Sequence, residues 1–289
     1  MLLNASGCLD ALTAPATARA FDAFVTKTVT PLPRAGNPPV RIAETAVGML
    51  NSIGLANPGR ERFLAETLPA LRGLGVPLWV SVGGFKAHEY AETCALLEDV
   101  TIELNLSCPN VEEAPETAAE IVAACRAATS LPLYAKLSPA SWDIAEVAGA
   151  VEAAGADGLS LVNTLRGMKL DAGLHPVLGT VTGGLSGPAL KPVALAAVHA
   201  CFRATALPIV GMGGVASGRD ALELHAAGAR AVAVGTALFS DPSAPNRIRE
   251  ELSAELATLG LESAEQACGI AHQEALPERK HLDARSRVS

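Results

Sequence analysis

The chain has 289 residues, 49% of them hydrophobic and 18% charged, with a formal net charge of −8 at pH 7. An acidic chain with only 3% aromatic residues offers neither a basic surface for phosphates nor rings for stacked bases, which argues against nucleic acid as a main partner. No apolar run approaches the roughly 18 residues that cross a bilayer, and no basic, then apolar leader opens the chain. The six cysteines (Cys8, Cys94, Cys108, Cys125, Cys201 and Cys268) form no C-x-x-C pair and no zinc spacing. We expect a cytoplasmic protein with no membrane partner and no bound metal.

In chain order, short β-rich runs alternate with Ala-rich helical stretches. Strands are expected over Leu2–Ala5, Phe24–Val29, Leu78–Val82, Thr101–Leu106, Leu133–Leu137, Gly158–Asn163, Pro208–Gly211 and Ala231–Gly235. Helices are expected over Arg60–Leu74, His88–Leu97, Glu116–Ala128, Trp142–Ala154, Pro192–Ala204 and Gly218–Ala227, where apolar residues recur at steps of three and four. Several strands are near-continuous apolar runs, the pattern of strands covered on both faces. Eight such units predict one (β/α)8 barrel domain over 1–289, with a charged, frayed tail over 277–289. A doubly wound open sheet is the alternative, but Ala5-Ser6-Gly7 after the first strand lacks its G-x-G-x-x-G turn. Thr30–Gly59 and the glycine-rich Leu165–Pro188 fall outside the repeat and read as long functional loops.

A barrel of this kind carries its ligand site at the C-terminal ends of the strands, and phosphate often binds after strands seven and eight. Those two ends read Gly211-Met212-Gly213-Gly214 and Gly235-Thr236, glycine turns that let backbone approach an anion. The other ends are polar: Ser6, then Lys27-Thr28, then Asn105 and Cys108, then Lys136, then Asn163-Thr164. A lysine inside an apolar strand is costly unless it faces an anion or an electron-rich ring. Each lysine alone could snorkel to the surface; together they point to one site. The fourth end, Leu-Asn-Leu-Ser-Cys-Pro-Asn over 104–110, sets a thiol between two amides. A free cysteine is more often a core thiol, but its company at the other strand ends favours a catalyst. Paired carboxylates, H-E-x-x-H and G-x-S-x-G are absent. His88, His175, His199, His225, His272 and His281 read as structural or exposed and unclustered.

Five segments in order carry a resemblance: Gly36-Asn37-Pro38-Pro39, Asn51 to Gly59 (NSIGLANPG), the Asn-Leu-Ser-Cys-Pro-Asn segment, Gly183 to Pro192 (GGLSGPALKP) and Gly211-Met212-Gly213-Gly214-Val215. From about Leu2 to Pro242 the chain resembles the class 1 dihydroorotate dehydrogenases, most closely the catalytic subunit of the B type. The resemblance implies a barrel with FMN at its mouth that oxidises dihydroorotate to orotate in pyrimidine biosynthesis. It makes Cys108 the catalytic base. It assigns substrate binding to Lys27, Asn51, Ser52, Ile53, Gly54, Leu55, Asn105, Asn110, Asn163 and Thr164. It assigns FMN to Ser6, Lys27, Thr28, Ser81, Asn105, Lys136, Val162 and Gly187, with Gly213, Gly214, Gly235 and Thr236 on its phosphate.

Two departures stand out. Ser81 occupies a position where relatives usually carry asparagine, and Val111-Glu112-Glu113-Ala114-Pro115 replaces a longer glycine-rich lid. The B type implies a homodimer that hands electrons to a partner subunit carrying FAD and an iron–sulfur cluster, and then to NAD; the A type would use fumarate. Other readings are a related FMN enzyme acting on uracil or thymine, and a flavin- or sugar-phosphate-binding barrel without activity.

Overall fold

Every run of buried aliphatic residues expected as a strand takes its place in one parallel sheet. The computed structural model describes residues 1–106, 117–141 and 143–273. The strands are β1 (Leu2–Asn4), β2 (Phe24–Val25), β3 (Ile42–Thr45), β4 (Gly48–Asn51), β5 (Leu78–Val82), β6 (Thr101–Asn105), β7 (Leu133–Lys136), β8 (Gly158–Leu161), β9 (Leu165–Met168), β10 (Thr182–Ser186), β11 (Ile209–Met212) and β12 (Ala231–Val234). Eight of them run in the order β1-β12-β11-β8-β7-β6-β5-β2. A parallel bridge between Leu3 and Ala23 joins the two ends of that order. The result is the closed (β/α)8 barrel that the sequence predicts.

Alternation divides the side chains. Leu2, Val80, Ile102, Leu104, Leu133, Leu159 and Ile209 point outward into the main core, where they meet helix residues such as Val122, Val151, Ala194, Leu224 and Ile248. Leu3, Val25, Trp79, Val210, Met212 and Ala233 point inward and fill the barrel with Tyr134. Tyr134 packs on Trp79 with centroids 4.4 Å apart. Its ring occupies the space that a Cβ on Gly158 would need, so the neighbouring strand requires glycine there.

The outer helices include Ala87–Cys94, Ala118–Ala128, Ile144–Ala153, Lys191–Ala204 and Gly218–Ala227. Thr117 and Glu120 form a reciprocal capping box on the second of these, and Asp143 and Ser217 cap the third and fifth. The stretch 60–72 is helical with a π-turn at Phe63–Thr67, ending two residues before Pro69, which lacks an N–H to give back to the preceding turn. A 15-residue helix, Ala244–Thr258, lies beyond the expected repeat; few of its residues are buried, so its apolar period is faint.

The two expected loops are not loops. Thr30–Gly59 contains β3 and β4, and Leu165–Pro188 contains β9 and β10. All four pair as a separate antiparallel sheet in the order β3-β4-β10-β9. The expected separation of the histidines also fails for one pair. His199 and His272 stack with ring centroids 4.0 Å apart, and His225 is buried with Nδ1 2.7 Å from the Ala229 carbonyl. The tail over 277–289, with His281, lies outside the described residues.

Candidate active site

The C-terminal ends of the barrel strands open into a cavity of about 500 Å³, the size of ordinary small-ligand sites. Its floor is polar because three consecutive strands end in polar groups. On β6, Asn105 follows Leu104 and so faces inward. On β7, Lys136 sits beside it in register. After β8 come Asn163 and Thr164.

These groups are tied to one another before any ligand is considered. Asn105 Nδ2 donates to Thr28 Oγ1 at 3.1 Å, and Asn163 Nδ2 donates to Asn105 Oδ1 at 3.1 Å. The Thr164 backbone N–H donates to Asn163 Oδ1 at 2.8 Å. The Thr28 hydroxyl lies 3.3 Å from that of Ser6 and 3.0 Å from that of Ser81. The Tyr90 hydroxyl donates to the Asn105 carbonyl at 2.9 Å, anchoring the end of β6 from the adjoining helix. This chain fixes which way each amide points, so the cavity presents an ordered set of donors and acceptors.

Lys136 has a side chain 6% exposed, and Glu103, two residues before Asn105 on β6, has one 1% exposed; Nζ lies 3.3 Å from Oε1. Lys27 reaches the cavity across Gly7, where an added Cβ would come within 3.0 Å of its Cδ and Nζ. The antiparallel sheet walls the opposite side through Ile42, Met49 and Asn51, and Asn51 Nδ2 donates to the Gly184 carbonyl at 3.3 Å. Gly54 and Leu55 are consecutive left-handed residues (φ 71° and 57°), a turn that carries the main chain along the cavity. At the far end, Gly213 and Gly214 have φ of 119° and 79°. There the Thr236 hydroxyl donates to Ser186 Oγ at 2.8 Å, joining the loop after β12 to the end of β10.

The cavity therefore gathers Ser6, Lys27, Thr28, Asn51, Ile53, Gly54, Leu55, Asn105, Lys136, Val162, Asn163, Thr164, Gly187, Gly213, Gly214, Gly235 and Thr236. Ser52 and Ser81 do not line it. Both are fully buried: Ser52 accepts from Asn37 Nδ2 at 2.9 Å and bonds the Thr180 hydroxyl, linking the two halves of the antiparallel sheet. Ser81 supports Thr28 from behind. Cys108 and Asn110 lie outside the described residues, as does the short segment 111–115.

Several lining residues gave no sequence signal of their own, among them Met49, Ser186, Met212, Phe239 and Cys8. Cys8 is a second thiol at the rim. Burial pushes its pKa above the usual cysteine range, and the nearby Lys136 and Lys27, which pull the other way, do not overcome it. It remains a neutral thiol and is a poor base. The glycine-bounded end suits a phosphate, the buried lysine suits a flat ring that carries or gains negative charge, and the amide cluster suits a planar polar ligand.

Comparison with known proteins shows the family. A family model described as dihydroorotate dehydrogenase matches residues 1–256. A protein of Trichlorobacter lovleyi named dihydroorotate dehydrogenase B (NAD(+)), catalytic subunit, is 49% identical over 251 residues, 83% of each chain. Proteins with the same name from Listeria welshimeri (45% over 256 residues, 84% of each chain) and Desulforudis audaxviator (46% over 263 residues, 87% of this chain and 86% of that one) are comparably similar. The crystal structure of a dihydroorotate dehydrogenase from Eimeria tenella in complex with ferulenol superposes with a TM-score of 0.77. It covers 94% of this chain and 85% of its own at 23% identity, a likeness of fold.

Proposed function

Because the chain belongs to the dihydroorotate dehydrogenase family, we infer that it oxidises dihydroorotate to orotate in pyrimidine biosynthesis, as the catalytic subunit of an NAD-linked, B-type enzyme. The observation that supports this most strongly is the amide chain Thr28–Asn105–Asn163 beside a buried lysine, in one cavity that ends in glycine turns.

FMN fits these residues. The loops at Gly213-Gly214 and Gly235-Thr236 would hold its phosphate, Ser6, Thr28, Val162 and Gly187 would line it, and Lys136 would face its ring. When bound, FMN supplies the acceptor for the hydride that leaves C6 of the substrate. Asn51, Asn105, Asn110 and Asn163 bind the carboxylate, carbonyl and ring N–H groups of the substrate, because an amide can both donate and accept. Lys27 adds a cation next to the carboxylate. Cys108, as its thiolate, removes the proton from C5. The pre-formed bonds among Thr28, Asn105 and Asn163 mean that these groups need not reorganise as substrate arrives, which is where positioning lowers a barrier.

A partner subunit is in keeping with the relatives' name, "catalytic subunit". We assign it FAD and an iron–sulfur cluster, place the assembly in the cytoplasm, and take this chain to pair with a second copy of itself. Among the described residues, no helix is long and apolar enough to cross a membrane.

The test is the colour of the purified protein. A yellow chain whose flavin band bleaches on anaerobic addition of dihydroorotate, with bleaching about 10²-fold slower in Cys108→Ala, is the expected result. A protein that takes up no FMN, or whose bleaching is indifferent to Cys108, would overturn the reading. Robust fumarate-dependent turnover by the chain alone would contradict the B-type assignment.

A further inference from the structure

Lys136 reaches the ligand cavity, but the one hydrogen bond of its ammonium among the described residues runs away from that cavity. Its Nζ lies 3.3 Å from Glu103 Oε1, and the two side chains are 6% and 1% exposed. Glu103 does not line the cavity. It sits on the neighbouring strand, one register step deeper, opposite Tyr134, and the Trp79–Tyr134 pair packs that level of the barrel. Lys136 is the carboxylate's only hydrogen-bond partner among the described residues. A carboxylate this deep is expensive to keep charged unless paired.

The pair is thus an ion pair with one end in the cavity and one end behind it. We propose that Glu103 is a positioning residue for Lys136: it holds the ammonium at the cavity floor and offsets part of its positive charge, and so sets the reduction potential of bound flavin. This rests on the FMN reading above. Reduced flavin carries more negative charge than oxidised flavin, so an undamped cation beneath it would favour the reduced form more strongly than the paired one does.

The experiment is spectroelectrochemical titration of the FMN-loaded protein and three variants: Glu103→Gln, Lys136→Met and the double variant. Glu103→Gln keeps the shape and a hydrogen-bond acceptor but removes the charge. It should favour reduced over oxidised flavin by about tenfold or more, a potential about 30 mV more positive for a two-electron couple. Lys136→Met should shift the potential the other way. The double variant should match Lys136→Met, because Glu103 acts on the flavin through the ammonium that both variants lack.

An FMN-loaded Glu103→Gln protein with the wild-type potential would overturn the proposal. So would a Glu103→Gln shift that persists in the Lys136→Met background, the mark of a packing effect. If Glu103→Gln does not fold, the comparison of Lys136→Met with the double variant still decides: any difference in potential between them sinks the idea. A chain that takes up no FMN refutes the cofactor reading instead, so the two failures are distinguishable.

Discussion

The inside of this barrel has two unlike halves. On β1, β2, β5, β11 and β12 the inward residues are Leu3, Val25, Trp79, Val210, Met212 and Ala233, apolar and buried, with Ser81 on β5 as a buried polar exception. On β6, β7 and β8 the inward positions hold Glu103, Asn105, Lys136 and, in register with Lys136, Ser160. Both halves share one topology, one hydrogen-bond ladder and one layer of covering helices. The apolar half stabilises the fold by removing surface from water. The polar half costs desolvation free energy and recovers it only through its mutual bonds, here the Lys136–Glu103 pair and the amide chain. The Ser160 hydroxyl, buried and without a hydrogen-bond partner among the described residues, shows that the recovery there is incomplete. A protein keeps such a half for what it binds.

The sharpest way to break this contrast is Lys136→Ala. It leaves Glu103 buried without its cation and should cost about 3–5 kcal/mol in denaturant unfolding, together with weakened FMN uptake. A cost under about 1 kcal/mol would show that the pair is not desolvated as described. On the apolar side, Leu3→Ala should cost about 2–4 kcal/mol through lost contacts and a cavity, while the flavin potential and the turnover per folded molecule stay put. If the potential moved, the two halves would not be separable.

Asn105→Ala removes a donor to Thr28 and an acceptor for Asn163. It should cost about 1–3 kcal/mol of stability and raise KM for dihydroorotate, with a smaller fall in kcat. An unchanged KM would place the amide outside the substrate site.

The smallest effect lies outside the barrel, where Asp220 ties down the loop that follows Gly214. Its carboxylate accepts from Lys191 Nζ at 2.7 Å, the Ala216 N–H at 3.0 Å and the Ser217 hydroxyl at 2.8 Å. Burial opposes ionisation there, but these bonds outweigh it and hold the pKa below the ordinary value. A carboxyl lower in the folded than in the unfolded chain stabilises at pH above the unfolded value, about 4. That stabilisation is lost as pH falls through the folded one. Thermal midpoints should therefore fall below about pH 4 in the wild type, and less steeply in Asp220→Asn; parallel curves would remove Asp220 from the account.

The barrel strands could be read in the sequence because both faces are covered. Val80, Ile102, Leu104 and Leu133 are needed outward as much as Val25, Trp79 and Val210 are needed inward, and the runs become conspicuously apolar. Strands β3, β4, β9 and β10 escaped notice for the opposite reason. Thr182-Gly-Gly-Leu-Ser has little propensity of its own and is a strand only because β4 and β9 lie alongside it. Gly184 shows the cost of that proximity: a Cβ there would collide with the Thr164 side chain. The cavity residues at strand ends were legible, since polar residues closing an apolar run have few structural uses. Ser52 and Ser81 look the same in sequence as Ser6, yet burial turns them toward Asn37 and Thr28. Cys8 was passed over because nothing in Gly-Cys-Leu signals a wall position.

The antiparallel sheet also dictates when the site comes into being. Asn51 and Gly184, which bond across it, are separated by 133 positions. Ser52 and Thr180, joined just beneath, are separated by 128. Closing loops of that size is entropically expensive and slow, and earns nothing until both ends are present. A nascent chain extended through β8 to Asn163 already holds the amide chain and the buried ion pair, but has no complete wall to set against them. Binding competence therefore arrives late and all at once, when the second half of the molecule returns to cover the first. Until then a half-made barrel has no means of capturing its ligand.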